Sequence, residues 1–390
     1  MTATLPSQRH LFDIPSEVAY LNCGYMGPLP RQSVAVGERA LARKARPWEI
    51  RAGHFFESTD QARQAFARLA GTMPDDVALI PSLSYGMAVA AANLPLRPGQ
   101  RVLLLDEEFP SVIYTWRERA AREGAEAVLI QRPEDDDWTR AVLEQVDDRT
   151  AVAALPLCHW TDGGLLDLAR IGRRLREVGA TLAVDATQSL GAMPIDLNAI
   201  QPDFLVVAAY KWLLGPYSVG FMYVAPRWQD GRPIEHNWIA REGSEDFAGL
   251  VRYRERYQPG ARRYDVGEPS NFALLPAAVA SLGILLDWTV PRISLTLAGI
   301  TRDVIRRAEP LGFTAVPEDR RAPHYLGLRL AGGLPESLGE RLAAEQVFVS
   351  TRGPALRITP HVYNDAADLD RFEAALHRAM RPAAVSASGR

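Results

Sequence analysis

Short apolar runs alternate with amphipathic stretches from residue 77 onward. Residues 77–80, 101–105, 127–131, 151–157 and 181–184 read as strands. The stretches 85–94, 111–123, 138–146 and 166–178 read as helices between them. Strands separated by helices of about ten to fifteen residues predict βαβ units and a mainly parallel sheet. The run 151–157 is apolar throughout, which suits a strand covered on both faces. Two more strands, 204–208 and 219–224, follow with a link too short for a crossover helix, so they are expected to pair antiparallel. The polar segment 227–263 reads as loops with a short helix, and 274–288 as a helix.

Beyond residue 290 the pattern changes. Strands are expected at 325–330, 346–349 and 355–359, with helices at 335–344 and 366–380. This predicts a smaller α+β unit. The expected division is an N-terminal segment 1–20, a large domain 21–289, a small C-terminal domain 290–380 and a polar, disordered tail 381–390.

Composition narrows the function classes. Hydrophobic residues are 47% of the 390 and charged residues 23%, which argues for a folded core and against disorder. A formal net charge of −3 lacks the basic excess of a general nucleic-acid binder. Two cysteines, Cys23 and Cys158, make neither a disulfide framework nor a structural zinc site, and no metal is expected. No apolar run reaches transmembrane or signal-peptide length, so a cytoplasmic, membrane-free protein is expected. Of the 44 Lys and Arg residues only Lys44 and Lys211 are lysine.

Lys211 stands where chemistry is expected. One apolar strand ends in Asp185, Gln188 follows three residues later, and a second apolar strand ends in Ala209-Tyr210-Lys211. Only a primary amine condenses with a carbonyl to form a Schiff base; guanidinium does not. Burial lowers a lysine pKa and favours the free amine. A carboxylate on the neighbouring strand end could pair with a protonated pyridine nitrogen, making a pyridoxal ring an electron sink. Taken alone, the pair also reads as a surface lysine and a helix-capping aspartate.

The pattern D-x-x-Q … Y-K-W-L-x-G-P resembles the class V aminotransferases, the fold-type-I pyridoxal-phosphate family that includes cysteine desulfurases, kynureninase and isopenicillin N epimerase. The resemblance runs from about Tyr20 to Phe372. It implies a large domain with a mainly parallel seven-stranded sheet, a smaller C-terminal domain, pyridoxal 5'-phosphate (PLP) as cofactor and an amino acid substrate. It gives Lys211 the Schiff base, Asp185 the pyridine nitrogen and Gln188 the ring's phenolic oxygen.

Other matches follow. Ser82 and Ser84 open a helix after a strand, where hydroxyls and backbone N–H groups can bind phosphate or simply cap the helix. The resemblance makes them the phosphate cup, with Tyr210 a further contact; Ala208 stands where the family often has serine. Phe109 is assigned to stacking on the cofactor ring. His159 reads either as a cofactor contact and proton shuttle or as a hydrogen-bonded core histidine. Arg357, in Arg357-Ile358-Thr359-Pro360-His361-Val362-Tyr363-Asn364, resembles the family arginine that grips the substrate α-carboxylate, a task its planar fork suits. Asn22 and Gly24 match the N-terminal loop over the active site. Residues 263–271 resemble a loop lent by a neighbouring subunit to the phosphate, which implies a homodimer. Glu268 replaces its usual threonine, leaving Ser270 or Asn271 for the contact.

The reaction is less marked. Residues 350–356 contain no cysteine, and Phe109 replaces the histidine of desulfurases, so persulfide chemistry is not expected. Val112 and Gln188 depart from the kynureninase pattern. An aminotransferase is the expected activity, with a C–S (β) lyase and then an epimerase or cyclising enzyme as alternatives. A non-enzymatic regulator would have shed Lys211, Asp185 or Arg357, and all three are present. Trp48, His54, Phe55, Trp238 and Arg241 are candidates for the side-chain pocket, and Arg352 or Arg241 for a second carboxylate contact.

Overall fold

A seven-stranded sheet organises the chain, and its strands come from residues 77–224. The structure is a computed structural model and describes residues 3–381. The tail expected at 381–390 lies, but for Arg381, outside the described residues. Before the sheet come β1 (Ala19–Tyr20), α1 (Arg31–Arg43) and α2 (His54–Ala70). Then follow β2 (Val77–Ile80), α3 (Leu83–Asn93), β3 (Arg101–Leu105), α4 (Pro110–Glu123), β4 (Glu126–Ile130), α5 (Trp138–Gln145), β5 (Thr150–Pro156), α6 (Leu168–Glu177), β6 (Thr181–Asp185), the short α7 (Leu197–Ile200), β7 (Phe204–Ala208) and β8 (Gly220–Val224).

The strand order is β2-β8-β7-β6-β5-β3-β4. The pairs among β4, β3, β5, β6 and β7 are parallel, and β8 runs antiparallel to both β7 and β2. β2 therefore points the same way as β7, so the carboxyl ends of six strands open on one edge. The chain steps outward from β3 to β4, then back across β3 to β5, which is the reversal where open α/β sheets form their ligand crevice.

Local sequence explains the elements. β5, β6 and β7 are buried along their whole length, as strands covered by helices on both faces must be. α6 starts at Asp167, whose carboxylate accepts from the Arg170 N–H, and turns Leu168, Ile171 and Leu175 inward. α4 begins with Pro110 in its first turn and stops at Gly124, which adopts a φ of 68°.

After β8 the segment expected to hold a short helix contains three 3₁₀ turns instead, Pro226–Trp228, Phe247–Gly249 and Gly260–Tyr264. Helices α8 (Leu275–Trp288) and α9 (Val290–Ala308) lead into β9 (Leu326–Leu328), α10 (Leu338–Ala344), β10 (Val347–Phe348), β11 (Ser350–Arg352), β12 (Ala355–Ile358) and α11 (Ala366–Ala379). The single strand expected at 346–349 divides: β10 pairs in parallel with β1, while β11, β12 and β9 form an antiparallel sheet. Ala19 and Leu21 thus pack in one hydrophobic cluster with Val304, Phe313, Leu356 and Phe372.

Two long helices, α1 and α2, carry weak sequence signals. The inward positions of α2 are Thr59, Ala62, Arg63, Phe66, Ala67 and Ala70, a helical stripe interrupted by a buried arginine. Arg63 is paired there with the buried carboxylate of Asp265. Phe66 stacks on Phe221 of β8 at 4.6 Å between ring centroids and an interplanar angle of 10°. Phe66→Ala is expected to lower the unfolding free energy by about 3–5 kcal/mol in urea titrations, the range for emptying a buried phenylalanine site. A loss below about 1 kcal/mol would show that α2 does not anchor the sheet.

Candidate active site

The residue before the cavity is built by a turn. After β7 the chain passes through Ala209 and Tyr210 to Lys211, and the turn is closed by Gly215 N–H donating to the Ala209 carbonyl (2.9 Å). The Lys211 backbone is clamped from the N-terminal loop: Cys23 Sγ lies 3.7 Å from its carbonyl oxygen, and a Cβ on Gly27 would stand 2.2 Å from that same oxygen. Only glycine fits there. Gly27 N–H also donates to the Tyr210 carbonyl at 2.8 Å.

The Lys211 side chain enters a cavity of about 170 Å³ lined by Ser82, Ser84, Phe109, Asp185, Gln188 and Tyr210. Its Nζ lies 5.5 Å from the Phe109 ring centroid and 5.4 Å from that of Tyr210. Burial lowers the Lys211 pKa to about 8, against the charge of Asp185, while Arg357 and Arg352 push it further down. About a tenth of the lysine is then free amine at pH 7. Asp185 ends β6, and its Oδ1 accepts from the Thr187 N–H at 2.8 Å. Burial raises the Asp185 pKa, opposed by Thr187 hydrogen bonding and the Lys211 charge.

Ser82 caps α3: its Oγ accepts from the Tyr85 N–H (3.2 Å) and lies 2.9 Å from Ser84 Oγ. The positive end of an eleven-residue helix therefore faces the cavity with two hydroxyls. Gln188 is fixed at both ends of its amide, donating to the Gly24 carbonyl (3.0 Å) and accepting from Trp212 Nε1 (2.9 Å).

The cavity widens into a second of about 380 Å³ that shares Phe109, Trp160, Tyr210, Lys211 and Tyr217 and adds Gly24, Arg352 and Arg357. Arg357 is 1% exposed. Its Nε donates to Ser350 Oγ (2.9 Å) and Nη1 to the Trp160 carbonyl (3.3 Å), while Nη2 has no partner among the described residues. Ser350 Oγ donates in turn to Asn22 Oδ1 at 3.0 Å, so Asn22 orients the arginine through the serine instead of lining the cavity.

Two expected residues stand elsewhere. His159 lines neither cavity. It is stacked on Trp138 at 5.1 Å, with Nδ1 2.8 Å from Thr161 Oγ1 and Nε2 3.3 Å from the Asp106 carbonyl. Of its two readings the geometry takes the hydrogen-bonded core histidine, and burial lowers its pKa. Asn271 is exposed ahead of α8, its Oδ1 accepting from the Leu274 N–H at 3.0 Å, and it does not reach Lys211 within one chain. Among the other pocket candidates, Trp48 is 76% exposed, Phe55 and Trp238 pack on each other, and Arg241 is stacked 3.9 Å over Tyr257 beside a separate cavity.

Comparison with known proteins places this architecture. A solved structure of C-DES, with glycine covalently linked to its PLP cofactor, superposes with a TM-score of 0.86 over 95% of this chain and 98% of that one at 18% identity, so the fold is shared. The family model for class V aminotransferases matches residues 39–235, half of the chain. The chain belongs to the class V aminotransferase family. It is 29% identical over 323 residues to the uncharacterized aminotransferase YcbU of Bacillus subtilis, covering 79% of this chain and 80% of that protein. It is also 29% identical over 378 residues to isopenicillin N epimerase of Streptomyces clavuligerus, covering 92% of this chain and 94% of that protein.

One site neighbour escaped sequence reasoning. Glu108, between β3 and Phe109, is 4% exposed, and its Oε2 has no partner among the described residues. Its Oε1 accepts from the Phe109 N–H at 2.5 Å. Burial raises its pKa to about 8, and the nearby Asp185 charge adds to the rise. Its sequence context, Asp106-Glu107-Glu108, reads as an ordinary acidic loop and gives no sign of burial. A carboxyl that keeps its proton when folded favours the folded state below its unfolded pKa near 4.5, and that contribution is lost as pH rises towards 8. Glu108→Gln is therefore expected to flatten the fall in unfolding free energy between pH 5 and pH 8 by a few kcal/mol. An unchanged pH profile in thermal or urea unfolding would place the titration elsewhere.

Proposed function

We propose that this enzyme is a PLP-dependent aminotransferase that takes an amino acid at Lys211. The observation that carries the reading is one buried lysine at a strand end, with Asp185 on the adjacent strand and a buried arginine nitrogen without a partner across the cavity. The residues fit the cofactor. Ser82, Ser84 and the α3 N-terminus would hold its phosphate, Phe109 would cover its ring, and Asp185 would meet the ring nitrogen. Bound there, PLP supplies an aldehyde for the lysine amine and a cationic ring that draws electrons from the substrate α-carbon.

The chain's own groups then divide the work. Arg357 takes the α-carboxylate with its free Nη2, held in aim by Ser350 and Asn22. Lys211 Nζ, with a pKa near 8, is placed to take the α-proton and, for transamination, would hand it to the carbon that carried the cofactor's aldehyde and not back to the α-carbon. Among the described residues the titratable side chains that line the inner cavity are Lys211, Asp185, Tyr210 and Tyr217, and Phe109 and Trp160 in its wall meet edge to face at 5.6 Å. Cys23 and Cys158 are both buried with thiols pushed up by burial, which argues against a persulfide-carrying cysteine.

This reading includes a homodimer. Asn271 and Glu268 lie outside the single-chain cavity, and a second copy would bring that loop to the phosphate. No single helix among the described residues is long and apolar enough to cross a membrane. A cytoplasmic location is proposed with it, supported by the two unpaired cysteines.

Three experiments test the proposal. Borohydride reduction followed by peptide mass spectrometry is expected to attach a pyridoxyl group at residue 211, and Lys211→Ala to abolish it; retention of the label in the variant refutes the assignment. Single-turnover reaction with pooled amino acids is expected to release one keto acid per site. Continuous release of pyruvate and ammonia would make the enzyme a β-lyase instead. Arg357→Ala is expected to raise KM for the amino acid about 10- to 100-fold, the worth of a charge-assisted pair. An unchanged KM would remove Arg357 from carboxylate binding.

A further inference from the structure

We propose that the outer cavity selects amino acids with an acidic side chain and that Arg352 binds the distal carboxylate. The inference rests on the reading that Arg357 holds the α-carboxylate of a substrate bound at Lys211.

The β11–β12 hairpin sets the geometry. Ser350 pairs with Arg357 and Arg352 with Ala355, so Arg352 stands two residues beyond Ser350 on the same strand. Alternation along a strand puts Ser350, Arg352 and Arg357 on one face, with the two arginines as diagonal neighbours. Both reach over the same indole: the guanidinium carbon of Arg352 lies 5.6 Å from the Trp160 ring centroid and that of Arg357 6.0 Å.

Charge is unbalanced there. Among the described residues neither arginine forms an ion pair. Arg352 donates through Nη1 to the Thr351 carbonyl, and Arg357 keeps Nη2 unpartnered. The outer cavity is lined by Lys211, Arg352 and Arg357 and by no aspartate or glutamate. Elsewhere the chain's arginines are routinely neutralised, as Arg132 is by Glu107 and Asp162. Burial and the Arg357 charge both pull the Arg352 pKa down, the mark of two cations held together without an anion between them. One α-carboxylate at Arg357 leaves the second guanidinium unmatched, and a second carboxylate matches it. Tyr25, Met26 and Tyr217 supply the apolar wall along which a short methylene chain lies. Arg241, the other candidate for this role, is engaged with Glu255 and Tyr257 outside the cavity.

The test uses two ligands that differ by one charge, glutarate and its mono-amide glutaramate, in calorimetric titrations of the holoenzyme. Glutarate is expected to bind at least about tenfold more tightly, and Arg352→Gln to collapse that preference. Arg352→Lys, which keeps the charge but loses the fork, is expected to retain part of it. Equal affinity of the two ligands for the native enzyme overturns the inference. So does an equal loss for both ligands in Arg352→Gln, which would mean that the two arginines share one carboxylate. The borohydride label separates this inference from the function beneath it. A labelled Lys211 with no preference for the diacid sinks the inference alone. An Arg352-dependent preference without a label at Lys211 sinks the cofactor reading and leaves a dicarboxylate site.

Discussion

The burial of one amine governs this molecule. Lys211 is set at the carboxyl end of β7, in a sheet whose strands are covered on both faces, and its main chain is locked by a loop from the other end of the sequence. Taking an ammonium group out of water is costly, and the cost appears as a pKa near 8. Nearly everything around the cavity either tempers that cost or exploits it. Asp185 tempers it from the adjacent strand, while Arg352 and Arg357 work against it.

The same crowding pushes both nearby acids up, against different opposition. Asp185 lies against Thr187 and the lysine, which support its charged form. Glu108 has one hydrogen bond from a backbone amide and a second oxygen facing no partner, so burial wins and its proton stays. The Asp185 charge adds to the rise at Glu108. Asp162 shows the contrasting solution: burial raises its pKa, but His159, Arg132 and Arg329 outweigh it. His159 is thereby committed to its place against Trp138 and Thr161.

The sheet was legible because its strands are apolar runs bounded by helices, and most of its strand ends fall within a residue of their expected places, β2, β3 and β7 among them. Lys211 and Asp185 were legible because lysine is scarce in this chain and both close apolar strands. α1 and α2 were not, since their buried faces rest on alanines, Ser33, Thr59 and a paired Arg63, with Phe66 the one large apolar residue among them. Glu108 was hidden because burial of a carboxyl leaves no mark in a run of acids. The choice between Arg352 and Arg241 depended on hairpin register, which brings Arg352 beside Arg357, and register is a long-range property. Asn22 was found for the right neighbourhood, but its contact with Ser350 joins residues 328 positions apart.

That span has a consequence for how the protein is made. β1 pairs with β10, Cys23 N–H donates to the Thr359 carbonyl, and Asn364 Nδ2 donates to the Tyr20 carbonyl. The segment that clamps Lys211 leaves the ribosome well ahead of its partner strands, the Asn22–Ser350 contact alone spanning 328 positions. At ~5–20 residues per second, the clamp waits tens of seconds for its other half. The central sheet can form before then; the lysine's surroundings cannot be finished until residues 347–364 have been made.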